Sequence, residues 1–157
     1  LYGWGTSTYA QPPQGVLFKQ VSAGQSHSCG VDLEGNVHCW GITNGGNWDY
    51  GQVTLAPTEG TFTVAAAGYN HSCAIKEDGT ALCWGIGSED NLTAAQEPYE
   101  KGQVTLTPTE PVFLQIGAGH SHTCALKTDG SLQCWGAGSV EPCAMQPGYL
   151  SLAVSAS

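Results

Sequence analysis

Six of the seven cysteines in this 157-residue sequence stand in three pairs whose partners are ten positions apart: Cys29 and Cys39, Cys73 and Cys83, Cys124 and Cys134. A histidine lies two residues before the first member of each pair (His27, His71, His122), and a Trp-Gly dipeptide follows the second. Such residues can hold zinc, cycle a redox couple or cross-link the chain. Structural zinc asks for cysteines at C-x₂₋₄-C spacing and a redox centre usually shows C-x-x-C; neither spacing occurs. The three histidines could converge on a metal, but no periodic carboxylate accompanies them as a supporting shell. Each is therefore expected to hydrogen-bond backbone at a junction between units. No metal and no cofactor is expected.

The elements that carry these residues repeat. Gly51–Gly85 aligns with Gly102–Gly136 without a gap, and 20 of the 35 positions are identical, including "GQVTL", "PTE" and "CWG". Phe18–Gly41 shares the later half of the same pattern. In all three copies a phenylalanine (Phe18, Phe62, Phe113) opens the unit, and an Ala-Gly pair precedes the histidine. A constant core with spacers of unequal length marks a repeat architecture whose insertions fall in loops. "FKQVSAG", "HSCGV" and "NVHCWG", with their counterparts, read as three short strands per unit. Leu33-Glu34-Gly35, Glu77-Asp78-Gly79 and Thr128-Asp129-Gly130 each suit a three-residue hairpin loop with glycine at the left-handed position. No segment has a convincing amphipathic helical pattern; Ala94–Lys101 is short and interrupted by Pro98.

Counting outward from the centre of each hairpin sets Cys29 opposite Cys39, Cys73 opposite Cys83 and Cys124 opposite Cys134. The pair falls at a non-hydrogen-bonded position, where Cα atoms approach to ~4.5 Å, within reach of a disulfide. Each bridge would stabilise its short loop by roughly 2–3 kcal/mol. The cysteines are read as staples.

The pattern Phe-x-x-(Val/Ala/Ile)-x-x-Gly-x-x-His-(Ser/Thr)-Cys, then Asp-Gly or Glu-Gly and Cys-Trp-Gly, resembles the regulator of chromosome condensation repeat, in its cysteine-bearing extracellular variety. The resemblance covers roughly Phe18 to Gly136. It implies an all-β fold, a β-propeller of four-stranded blades, usually seven, that acts as a binding platform. Here there are three full units plus split partial units at both ends: a partial unit over 1–14, units over 15–50, 51–101 and 102–147, and a partial unit over 148–157. "LYGWG" looks like the last strand of a unit, and "GYLSLAVSAS" aligns with "GVLFKQVSAG", a first strand. The chain is expected to be a fragment of a larger propeller, or to combine its two ends into a composite blade. Exposed strand edges are templates for another chain, and head-to-tail joining that does not close gives a filament.

Charge narrows the partners. The formal net charge is −9, from 13 acids against 4 lysines with no arginine, which argues against nucleic acid and against an anionic membrane surface. No apolar run approaches the ~20 residues of a spanning helix. The sequence begins at Leu1, as expected of a processed protein or a piece of a longer one. Seven cysteines, with sequons at Asn70 and Asn91, point to an extracellular, secreted or cell-surface glycoprotein.

Outside the repeat core, Trp48, Asp49 and Tyr50 lie in the spacer "ITNGGNWDY", an aromatic group among Asn and Asp that suits sugar stacking or contact with a neighbouring unit. Trp40, Trp84 and Trp135 read as packing between units. The spacer with Glu89, Asp90, Glu97 and Glu100 lacks EF-hand spacing and reads as a solvated acidic loop rather than a calcium site. His38 and His120 stand alone in the sequence. Cys143 is left over, a candidate for linkage to another subunit. No catalytic motif is present. The expected role is a non-catalytic structural and interaction scaffold, assembling end to end with copies of itself or binding another extracellular protein. The alternative is a lectin-like or inhibitory module that recognises glycans or protein through its spacer loops.

Overall fold

The computed structural model describes residues 11–87 and 100–137. Its strands are β1 (Phe18–Ala23), β2 (His27–Asp32) and β3 (Val37–Gly41) in the first unit, then β4 (Phe62–Ala67), β5 (His71–Lys76) and β6 (Ala81–Gly85). The third unit supplies β7 (Phe113–Ala118), β8 (His122–Lys127) and β9 (Leu132–Gly136). Each unit folds into one antiparallel sheet in the order of the chain, referred to below as blades one, two and three. Among the described residues no helix is long and apolar enough to cross a membrane.

The local chemistry sets each boundary. The first strand ends where the glycine N–H turns back onto the histidine carbonyl, as in Gly24 to His27 at 2.9 Å and Gly68 to His71 at 2.9 Å. The second and third strands are closed by the expected loops. Gly35, Gly79 and Gly130 have φ of 93°, 87° and 83°, a region costly to any residue with a Cβ. Each first strand carries a bulge after its phenylalanine, between Phe18 and Gln20, Phe62 and Val64, and Phe113 and Gln115.

Two apolar cores lie between the three sheets, and strand alternation divides the side chains between them. On β4, Ala65 and Ala67 face blade one, whereas Val64 and Ala66 face blade three. The first core joins Cys29, Val31 and Val37 of blade one to Phe62, Ala74 and Trp84 of blade two. The second joins Cys73, Ile75 and Cys83 of blade two to Phe113, Ala125 and Trp135 of blade three. Each blade thus turns its cysteine pair toward the next blade and its phenylalanine and tryptophan toward the previous one.

Among the described residues each sheet has three strands, as the local pattern predicts, and not the four that the resemblance implies. The segments that precede blades two and three form turns instead: Leu55 N–H bonds Gly51 O at 2.9 Å and Ala56 N–H bonds Val53 O at 3.2 Å, with Leu106–Gly102 and Thr107–Val104 repeating the geometry. Pro57 and Pro108 follow and lack the N–H a strand ladder would need. Gln52, fully buried, fixes the first of these turns: its amide accepts from Tyr50 N–H at 2.6 Å and donates to Trp48 O at 2.9 Å. The carbonyls of Gln52 and Gln103 accept the indole N–H of Trp84 and Trp135 at 2.9 and 3.0 Å, so each turn is clipped to the blade it enters. The identity of "GQVTL" in two units marked these residues; their role required the fold.

Candidate functional site

The strand registers bring Cys29 opposite Cys39, Cys73 opposite Cys83 and Cys124 opposite Cys134. All three pairs are disulfide-bonded, with Cα separations of 4.1, 4.0 and 4.1 Å. Beside the first two lies a contact that joins blades. His27 Nε2 is 2.7 Å from Ser72 Oγ, and His71 Nε2 is 2.9 Å from Thr123 Oγ1. Each histidine reaches the residue that follows the histidine of the next blade. The junction role is as expected, but the partner is a side-chain hydroxyl and not backbone. Ser72 O–H is directed to Gln52 O at 3.4 Å, so His27 Nε2–H is the donor and its Nδ1 carries the lone pair. Burial pushes His27 down to about 4. His71 is pushed to about 3 by burial, with positive charge on His27, His122 and His120 adding to it. Among the described residues no group of three or more His, Cys, Asp or Glu is arranged to hold a metal.

Backbone hydrogen bonds cross the same junctions, donated from both sides. Gln25 and Tyr69 N–H donate to Gly68 and Gly119 O, each at 3.1 Å, and Phe62 and Phe113 N–H donate to Gly35 and Gly79 O at 2.8 and 3.0 Å. A Cβ on Gly24 would run into the Gly68 carbonyl, so close approach requires glycine there. Blades one and two are further tied by Gln20, whose amide both donates to Ala65 O at 2.8 Å and accepts from Ala65 N–H at 2.9 Å.

The spacer loop of Trp48, Asp49 and Tyr50 is divided by the fold. Tyr50 is buried and is no part of a ligand surface, which corrects the expectation for that residue. Asp49 is used internally, accepting from Gly45 N–H at 2.8 Å and Gly51 N–H at 3.3 Å. Trp48 is 49% exposed and meets Tyr69 of blade two edge-on, ring centroids 6.3 Å apart. Tyr69 in turn lies 4.1 Å from His120 of blade three, centroid to centroid. His120, isolated in the sequence, therefore ends a row of three rings. Sequence reasoning found its first member only, because the row depends on the spacing between blades.

His38 is likewise not alone. Its Nε2 lies 2.8 Å from Asp32 Oδ2, across the first hairpin. Burial alone would raise the Asp32 carboxyl, but hydrogen bonds from the Asn36 side chain, His38 and the Asn36 backbone hold it well below the usual carboxylate range.

Asn70 is 4% exposed, and His71 and Ser72 of its sequon are fully buried. A glycan cannot be accommodated there, which corrects the sequon reading at Asn70. Asn91, Cys143, most of the first split unit, all of the last and most of the acidic spacer lie outside the described residues.

The chain matches the family described as regulator of chromosome condensation (RCC1) repeat over residues 18–52, 63–90 and 113–140. No curated protein matches it. Among solved structures it is similar to the CRINKLY WD40 ectodomain of the Arabidopsis thaliana receptor kinase ACR4, at 30% identity and TM-score 0.60, covering 86% of this chain and 42% of that one. It is also similar to the ectodomain of the Physcomitrella patens receptor kinase CR4, at 23% identity and TM-score 0.62, over 85% and 35%. Prp20p from Saccharomyces cerevisiae, described with its binding to Gsp1p and histones, aligns at 18% identity and TM-score 0.52, over 77% and 33%. The chain thus spans less than half the length of these structures. The last two likenesses concern the fold.

Proposed function

The chain belongs to the regulator of chromosome condensation (RCC1) repeat family, and from that premise we propose that it serves as a non-catalytic extracellular scaffold. Its blades present protein-binding surface and join end to end with other copies into a filament. The observation that carries this reading is the direction of the junction. In both junctions the cysteine pair and histidine of one blade meet the phenylalanine, tryptophan and hydroxyl of the next. Such an interface is heterologous and extends without limit unless the rotation closes it.

The outer faces offer its two halves. On blade one, Val21 is 49% exposed, while Ala65 and Ile116 at the same position are 1% and 7% exposed. Phe18 and Trp40 are partly open there, whereas their counterparts on blades two and three are buried. On blade three, His122 and Cys124 are partly open, whereas His27, His71, Cys29 and Cys73 are buried. The disulfides and the two receptor ectodomains support an extracellular setting. Cys143 is a candidate cross-link between subunits, and Asn91 a candidate glycan carrier. Light scattering with negatively stained micrographs of native, unreduced protein tests the reading: long polymers are expected, and a discrete monomer overturns the filament.

A second reading is favoured by the row Trp48–Tyr69–His120, which gives one end of the blades a rigid aromatic face of the kind used to anchor partners. As a lectin-like or inhibitory module the chain would bind through that face. Trp48→Ala should then abolish capture of its partner while leaving assembly size unchanged; unaltered capture removes this reading.

A further inference from the structure

Among the positions at which the hairpin of blade one departs from its two copies, three carry hydrogen-bonding side chains that meet one another. Where blades two and three carry Lys76, Thr80 and Leu82, and Lys127, Ser131 and Gln133, blade one carries Asp32, Asn36 and His38. The three act together. Asp32, 5% exposed, accepts from Asn36 N–H at 2.8 Å, from Asn36 Nδ2 at 2.9 Å and from His38 Nε2 at 2.8 Å. The carboxylate has no proton to give, so Nε2 carries a ring proton, and in the neutral imidazole Nδ1 keeps its lone pair. Phe18 sets the ring from the side, edge-on at 5.7 Å between centroids.

His38 lines a cavity of about 410 Å³ between this hairpin and the turn that leads into blade two. That volume lies in the range of small-ligand sites. Hydrogen-bonding groups come from His38, Asn36, Thr54 and Thr58. Apolar walls come from Val37, Val53, Ala56 and two prolines, Pro13 and Pro57. No lysine or arginine lines it, and the chain carries a net charge of −9, so an anion would be repelled. No carboxylate lines it either, since Asp32 is spent on the hairpin, so a cation finds no counter-charge. What remains is a neutral ligand with hydroxyls on its rim and an apolar face.

We propose that this cavity binds one pyranose unit of a glycan, with His38 Nδ1 accepting a ligand hydroxyl and the proline and valine walls packing against the C–H face. Asp32 is a positioning residue: it fixes the tautomer and orientation of His38. The site is separate from the aromatic row and from the blade junctions, so it stands or falls independently of the scaffold reading.

The test uses the unreduced, ¹⁵N-labelled protein near neutral pH, titrated separately with methyl glycosides of glucose, galactose, mannose, xylose and N-acetylglucosamine. The ring nitrogens of the histidines are the readout. At least one glycoside should shift the His38 Nδ1 signal saturably while leaving His27 and His71 unmoved. His38→Phe should weaken that binding by about tenfold, as loss of one hydrogen bond would. Asp32→Asn should weaken it less and broaden the His38 signals, the mark of a freed tautomer. Because Asp32 also ties the hairpin, Thr58→Val on the opposite wall serves as a second variant and should weaken binding with the hairpin intact. If no glycoside moves His38 up to its solubility, or if His38→Phe binds as the unaltered protein does, the proposal fails.

Discussion

Burial keeps the His71 imidazole neutral in the fold, while in the unfolded chain it is free to protonate near 6.5. His27 and His71 take up protons in the folded state only at about 4 and about 3. Between those values and 6.5 the unfolded state binds more protons, so stability rises with pH through that window and is lost as pH falls. Each unit of pH within it costs about 1.4 kcal/mol per histidine. The carboxylates Asp78 and Asp129 are held below their ordinary value by hydrogen bonds from Thr80 and Ser131, so they keep their charge throughout most of this range. Urea unfolding at about pH 7 and about pH 4.5 should therefore show a loss of several kcal/mol, and His71→Gln should flatten the dependence. The hydroxyl that His71 meets offers a companion measurement. Thr123→Val keeps the shape and strands a buried imidazole nitrogen, at a cost of about 1–3 kcal/mol at neutral pH, whereas Thr123→Ser should be nearly neutral.

At the scale of the hairpin, one glycine position does different work in different blades. Gly35 and Gly130 both sit at positive φ, 93° and 83°. A Cβ on Gly130 meets nothing within 4 Å, whereas one on Gly35 runs into Thr61 Cγ2, beside the Phe62 N–H that bonds Gly35 O. Gly130→Ala should cost only the left-handed penalty, roughly 1–2 kcal/mol, while Gly35→Ala adds a steric term and loosens the junction. Chemical denaturation of the two variants measures the difference. These hairpins were legible in the sequence because their turn chemistry is local: Glu-Gly and Asp-Gly loops fix the register, and the register puts cysteine opposite cysteine. The histidine partners were not, since Ser72 and Thr123 lie 45 and 52 positions away and the contact exists only once blades stack. His38 looked isolated because Asp32 meets it across a turn, with no counterpart in the other units to mark the pair. The three strands of each unit were legible for the same local reason, and the four-stranded blade came from the resemblance alone; "GQVTL" is committed to a turn by buried Gln52 and the proline that follows.

For the whole molecule, a filament of this chain has to bring together subunits of net charge −9 with no arginine and 4 lysines to offset 13 acids. Long-range repulsion therefore opposes end-to-end joining. The joint itself carries none of that charge: both described junctions are built of alanines, cysteines, aromatic rings, hydroxyls and neutral histidine. Added salt should then relieve the repulsion without weakening the contact. Raising ionic strength from about 0.01 M to about 0.15 M shortens the Debye length from roughly 30 Å to roughly 8 Å. Assembly length, followed by light scattering, should grow over that range. Assemblies that fall apart on adding salt would mean that ion pairs hold the subunits, and so that the contact lies in the lysine- and acid-bearing loops instead of on the outer faces of blades one and three.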